Sequence, residues 1–226
     1  MPASQPSSQA AIPGLPVVLL TGFDAFGGDT VNPSWLAVQA LDGETAEGHR
    51  LVAEQLPTLF DESLKTLRRL VRLHHPALVI AVGQAGGRST ISLERVAINV
   101  SDARIGDNAG MQPVDLPVVK AGVAAYFSTL PIKAMLQALE DAGVAAEVSQ
   151  TAGTFVCNHV FYGLMHHLAR QPLHHRARGG FIHVPWLPEQ GEPGMALKTM
   201  VKGLRIATLA ALRNRQDIQR EAGSLN

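Results

Sequence analysis

The chain has 226 residues, which at about 150 residues per domain suits one domain with room for a core that needs no covalent staple. Its 19 basic residues balance 19 acidic ones, so no net field draws it to nucleic acid or to an anionic membrane surface. The single cysteine, Cys157, excludes an internal disulfide and the paired-cysteine zinc frameworks.

The first sixteen residues are rich in Pro, Ser and Ala and hold no Lys or Arg. They read as a disordered extension rather than a secretory signal or a mitochondrial presequence. Residues 17–21 are a β-branched and aliphatic run closed by Gly22, the pattern of a strand buried on both faces. Residues 33–41 suit a helix with Asn32 as N-cap and Pro33 at its first position. A second strand over 51–56 is stopped by Pro57. Over 61–74, Leu64, Leu67, Leu70 and Val71 share one helical face. Asp61 and Glu62 sit at its positive end and Arg68, Arg69 and Arg72 towards its negative end. Residues 78–82 form another buried strand, 91–100 an extended segment and 101–113 a loop. A helix over 131–142 ends at Gly143, a strand follows over 144–149, and 157–169 is amphipathic at helical spacing. A strand over 180–184 and a long helix over 195–212 complete the pattern.

Buried strands alternating with helices predict a single α/β domain over 17–215, with a largely parallel central sheet, helices on both faces and a polar tail over 216–226. No apolar run approaches the ~18 residues that span a bilayer, so the chain is expected to be soluble and intracellular. In open α/β sheets ligands bind at the carboxyl ends of the strands. Four polar or glycine-rich segments follow predicted strands here: 22–28, 83–88, 151–158 and 183–190. A shared strand direction would bring them to one edge.

Cys157 lies between an extended segment and an amphipathic helix. It is either a small buried hydrophobe or a nucleophile at a helix N-terminus. There the macrodipole would favour a thiolate, and free N–H groups would offer an oxyanion hole. A thiolate nucleophile calls for an imidazole. The pairs His74-His75, His166-His167 and His174-His175 read as solvated surface. His159 shares the helix of Cys157 and points elsewhere. His183 differs, lying inside an apolar strand that ends in Pro185; it is either a satisfied core histidine or a base. Glu94 sits with Arg95 in an apolar run, where the two compensate each other, or lie solvated on an edge strand, or leave the carboxylate free to orient an imidazole. Phe23 and Phe26, three apart in the loop after the first strand, either plug the core or wall an apolar slot. The glycine-rich segments carry neither a P-loop nor a dinucleotide fingerprint.

Five blocks, in order, resemble the pyroglutamyl peptidase I family of cysteine peptidases. They are GFDAFGG with Asn32-Pro33-Ser34, VGQAGGR, LERVAINVSDARIGDNAG, FVCNHVFYGLMH and FIHVPWLPEQ, within a likeness running from about Val17 to about Leu212. The resemblance implies a triad in which Cys157 is the nucleophile, His183 the general acid/base and Glu94 the carboxylate that orients His183. It also implies a slot for the pyrrolidone ring, with Phe23, Phe26 and Phe155 at its aromatic positions. Asn32 and Gln84 match polar positions near the ligand, and Arg95 matches a basic residue beside the cysteine. By the same resemblance the fold is a three-layer α/β/α sandwich and the enzyme needs no metal or cofactor. It acts in the cytoplasm on peptides with N-terminal pyroglutamate, as a homotetramer or homodimer. Ala25, Gly106 and Trp186 depart from the family's usual residues. A non-catalytic lactam-binding protein would keep the slot without needing the triad. A nucleoside-cleaving α/β enzyme would want a phosphate site that the chain lacks.

Overall fold

The computed structural model describes residues 14–172 and 177–223. Most of the expected N-terminal extension, and His174 and His175, lie outside the described residues. The elements in chain order are β1 (Val17–Phe23), α1 (Pro33–Gln39), β2 (Thr45–Ala46), β3 (His49–Leu56), α2 (Phe60–His74), β4 (Leu78–Gln84) and β5 (Ile91–Glu94). They continue with β6 (Val96–Ile98), β7 (Ala125–Phe127), α3 (Ile132–Asp141), β8 (Ala146–Ser149), α4 (Val156–Ala169), β9 (Arg178–Val184) and α5 (Leu197–Arg213).

Seven strands form the central sheet in the order β2-β3-β1-β4-β9-β5-β8. β3, β1, β4 and β9 are mutually parallel, which is why their sequences are continuous apolar runs rather than alternating ones. Alternate side chains serve opposite faces. Val18, Leu20, Ile80, Val82 and Ile182 pack with α1, α3 and α5, whereas Leu19, Val79, Ala81 and Phe181 pack with α2 and α4. The architecture is a three-layer α/β/α sandwich with a mostly parallel sheet.

The far side of the sheet breaks the parallel order. β5 runs antiparallel to β9, and β8 follows β5 in parallel. The carboxyl ends of β1, β4 and β9 therefore share one edge, but the segment after β8 starts from the opposite one. The extended segment expected over 91–100 is cut after Glu94. Its second half, β6, leaves the sheet and pairs with β7 in a two-stranded ribbon. The chain between β6 and β7 is a long excursion tied down by its own polar groups. The Asp107 carboxylate accepts from the backbone N–H of Phe60 at 3.0 Å, satisfying the start of α2 from 47 residues away. The C-terminal segment is docked as well: Asp217 accepts from the N–H groups of Lys133 and Ala134 at the start of α3. Among the described residues no helix is long and apolar enough to cross a membrane.

Candidate active site

Strands β4, β9 and β5 lie side by side, with Gly83 opposite His183, Ser92 opposite His183 and Glu94 opposite Phe181. Directly opposed residues project to one face. His183 and Glu94 thus stand together on the face that α4 covers. A methyl group on Gly83 would lie 2.8 Å from Cys157 Sγ and 2.8 Å from Phe181 Cζ. Only glycine lets the first turn of α4 lower its sulfur onto the strand. Gly83→Ala is accordingly expected to fold but to displace Cys157. It should lower kcat/KM by about 10- to 100-fold, because sub-ångström misplacement of a reacting atom is that costly. Full activity in Gly83→Ala would show that Sγ tolerates the shift.

Glu94 is fully buried. Its Oε1 accepts from His183 Nδ1 at 2.7 Å and from Arg88 Nη1 at 2.8 Å; its Oε2 has no partner among the described residues. The expected choice between a Glu94–Arg95 pair and an oriented imidazole is resolved by the sheet, which puts Glu94 on His183. Bonding through Nδ1–H holds the imidazole in one tautomer and leaves Nε2 as the free nitrogen. A buried carboxylate without partners would cost several kcal/mol; the Arg88 guanidinium offsets much of that penalty.

Helix α4 starts at Val156 with Phe155 as its N-cap and no side-chain cap. The N–H groups of its first turn have no side-chain acceptor. The expectation that this helix end favours a thiolate meets a stronger opposing effect. Burial pushes the Cys157 thiol up to about 12, the Glu94 charge pushes the same way, and Arg88 pulls it down. Burial and the Glu94 charge therefore both favour the thiol form of Cys157.

The aromatic side chains around the site fall into two groups. Phe26 and Phe155 stand with ring centroids 5.1 Å apart, and Phe60 meets Phe155 edge-on at 5.3 Å. Phe23 belongs to the other group: it is buried against Phe181 at 6.4 Å, and Phe181 lies 4.8 Å from His183. The loop that carries Phe26 is pinned by Asp24, which accepts from Thr58 N–H at 2.7 Å, and by Asn108, which donates to the Ala25 carbonyl at 2.9 Å.

The polar candidates are placed less uniformly. Gln84 stands at the end of β4, donating to Asp29 at 3.5 Å and accepting from Gln190 at 3.3 Å. Asn32 is nearly spent on capping α1. Its Oδ1 accepts from Ser34 N–H and Oγ, and its Nδ2 donates to the Asp24 carbonyl, so a ligand could claim only the second Nδ2 hydrogen. Arg95 is a correction. Its guanidinium donates to the Ala222 carbonyl at 3.3 Å, in a segment packed with the α1, α3 and α5 layer. The basic residue at the cysteine's side of the sheet is Arg88, because Arg95 follows Glu94 on an extended chain and alternation turns it the other way.

Three other histidines, His74, His159 and His166, are not bare surface, whereas His75 is exposed as expected. His74 bonds Glu54 at 2.8 Å, and His166 bonds the Tyr126 hydroxyl at 3.0 Å. His159 is buried against Ser101 Oγ and Phe60, and burial lowers its pKa to about 4, so it stays neutral. Sequence reasoning passed over Arg88, Phe60 and Asn108. Arg88 had a visible signal, the basic end of a glycine-rich turn; Phe60 and Asn108 reach the site only through long-range folding.

A family model described as pyroglutamyl peptidase matches residues 17–214. The chain is 58% identical over 217 residues to a pyrrolidone-carboxylate peptidase of Cupriavidus taiwanensis, covering 94% of this chain and 100% of the relative. The pyrrolidone-carboxylate peptidase 1 of Ralstonia nicotianae is likewise 58% identical over 217 residues, with 94% and 100% covered. The crystal structure of pyroglutamyl peptidase I from Bacillus amyloliquefaciens superposes with a TM-score of 0.87 at 50% identity, over 90% of this chain and 100% of that one.

Proposed function

The chain belongs to the pyroglutamyl peptidase family, and from that premise we propose that Cys157, His183 and Glu94 carry out the family's hydrolysis in this protein: release of an N-terminal pyroglutamyl residue from a peptide. The observation that carries the assignment is the seat of Cys157 Sγ on Gly83, one strand position opposite a histidine whose Nδ1 is held 2.7 Å from a fully buried carboxylate.

The chemistry follows from the resting charge state. His183 Nε2 takes the thiol proton as Sγ attacks the carbonyl that joins pyroglutamate to the next residue. The oxyanion forms against the uncapped N–H groups that open α4. The imidazolium, held through Nδ1 by Glu94, then protonates the departing amine. Water, activated by the same nitrogen, frees pyroglutamate from the thioester. Phe26 and Phe155 are the walls against which the neutral lactam lies. A charged α-ammonium would have to be desolvated there, which favours the capped terminus. Gln84 reads the lactam's polar edge, with Phe23 as packing behind the wall; Asn32 and Arg95 are supporting residues away from the substrate.

The test is a comparison of kcat/KM on matched pyroglutamyl, prolyl and glutaminyl substrates. Pyroglutamyl release should dominate, because the prolyl ring leaves a polar group of the site unpaired. Phe26→Ala should cost about 10- to 200-fold in kcat/KM, the usual range for pocket-filling contacts. Equal rates on the three substrates would remove the lactam slot. An unchanged Phe26→Ala would remove only that wall.

A cytoplasmic setting suits a chain whose one cysteine works as a thiol. A homotetramer or homodimer is supported by the apolar side chains that the excursion and ribbon leave outside, including Val114, Leu116, Val123 and Phe127.

A further inference from the structure

The glycine-rich segment after β4 does more than close a turn. Gly86 is crossed so closely by the Trp186 ring that any β-carbon there would collide with it, and Gly87 takes φ +80°, open to glycine at no strain. This turn folds Arg88 back over the sheet. Its Nη1 meets Glu94 Oε1 at 2.8 Å, the same oxygen that holds His183, and its Nη2 donates to the Thr151 carbonyl at 3.1 Å in the connection that leads into α4.

We infer that Arg88 is a positioning residue of the peptidase reaction, which keeps the catalytic site electrically neutral before and after proton transfer and joins Glu94 to the segment that delivers Cys157. The inference rests on the triad reading above.

Charge counting gives the reason. With Cys157 as the thiol that burial favours, Arg88 cancels the Glu94 charge across their 2.8 Å contact. During attack, the negative charge on the reacting atoms is matched by the imidazolium, and Arg88 still cancels Glu94. Without Arg88 the buried carboxylate would face His183 and Cys157 uncompensated. It would then favour a histidine already protonated at rest, which cannot act as base. The other charged and titratable groups near this unit are Glu147 on β8, exposed and held by Ser92 Oγ, and Asp102, whose backbone N–H bonds the Thr154 carbonyl. Neither has a hydrogen bond to Glu94 or His183.

The experiment is the pH profile of kcat/KM on a pyroglutamyl substrate for the parent, Arg88→Gln and Arg88→Lys. In Arg88→Gln the acid limb should move to higher pH by about one unit, the lower range for a neighbouring charge. The loss should therefore be about tenfold greater on the acid side than on the plateau. Arg88→Lys should hold the limb near the parent's position while losing kcat, because one ammonium cannot bridge Glu94 and Thr151 as the guanidinium fork does. Arg88→Met, which keeps the apolar stem, repeats the measurement if the Gln variant does not fold. A limb unmoved in both neutral variants, with only a uniform loss or a lowered melting temperature, would overturn the role and leave Arg88 a structural tie. A parent that does not turn over the pyroglutamyl substrate would instead remove the triad reading itself.

Discussion

Cys157→Ser and Cys157→Ala are expected to lower turnover of a pyroglutamyl substrate by about 10⁴-fold or more, the scale on which loss of a nucleophile is felt, with the fold intact. The side chain is small and only partly buried, and it rests on a strand at a glycine. Alanine leaves a gap no larger than one sulfur, and serine leaves a smaller one. The seryl hydroxyl loses its proton far less readily than a thiol, and nothing at the site beyond His183 is placed to assist it. Iodoacetamide, taken up at Cys157, should inactivate the parent at one equivalent. Because burial holds the thiol near 12, the thiolate fraction, and with it the alkylation rate, should climb about tenfold per pH unit between pH 7 and 10. Activity that persists after complete alkylation would falsify the cysteine mechanism.

Glu94→Gln is expected to cost roughly 10²- to 10⁴-fold in kcat, the range seen when a group that orients a catalytic imidazole is neutralised. The amide keeps the shape but not the charge. It must serve two donors, His183 Nδ1–H and Arg88 Nη1, and it leaves the Arg88 charge uncompensated beside the imidazolium during attack. The change also has a sign in pH. Removing a negative charge makes the imidazolium less favourable and eases the Cys157 thiol downward, since Glu94 is one of the groups that raises it. The acid limb of kcat/KM should therefore move to lower pH while its plateau collapses. This is opposite to the shift expected for Arg88→Gln. A plateau within threefold of the parent would leave Glu94 with a structural role only.

Much of the site was legible in the chain itself. A lone cysteine before an amphipathic helix and a histidine in an apolar strand each violate a local expectation. So does a carboxylate in an apolar extended run, and such violations mark chemistry. The spacing of Phe23 and Phe26 left core plug and slot wall both open, and the fold splits them: Phe23 packs in the core, and Phe26 stands against Phe155, which only the family resemblance had pointed to. The opposite sense of β5 was not readable, because a strand four residues long carries no mark of its direction. The pairing that turned Glu94 towards His183 and sent Arg95 to the C-terminal segment had to come from the sheet.

The sequence alone determined which residue types could do this chemistry, the alternation of buried strands with helices, and the ends of most elements. These rest on side-chain periodicity and on Pro, Gly and capping residues, which act within a few positions of where they stand. Tertiary structure decided the partners. Arg88 and Glu94, six residues apart, meet because a glycine turn and an antiparallel strand bring them together. Glu94 and His183, 89 residues apart, meet because β5 lies beside β9. The thiol's ionisation was decided the same way. A helix terminus favours a thiolate, but here desolvation of the thiol, with the Glu94 charge acting the same way, opposes it more strongly. Burial is a property of everything that surrounds a side chain, and no local stretch of sequence contains it.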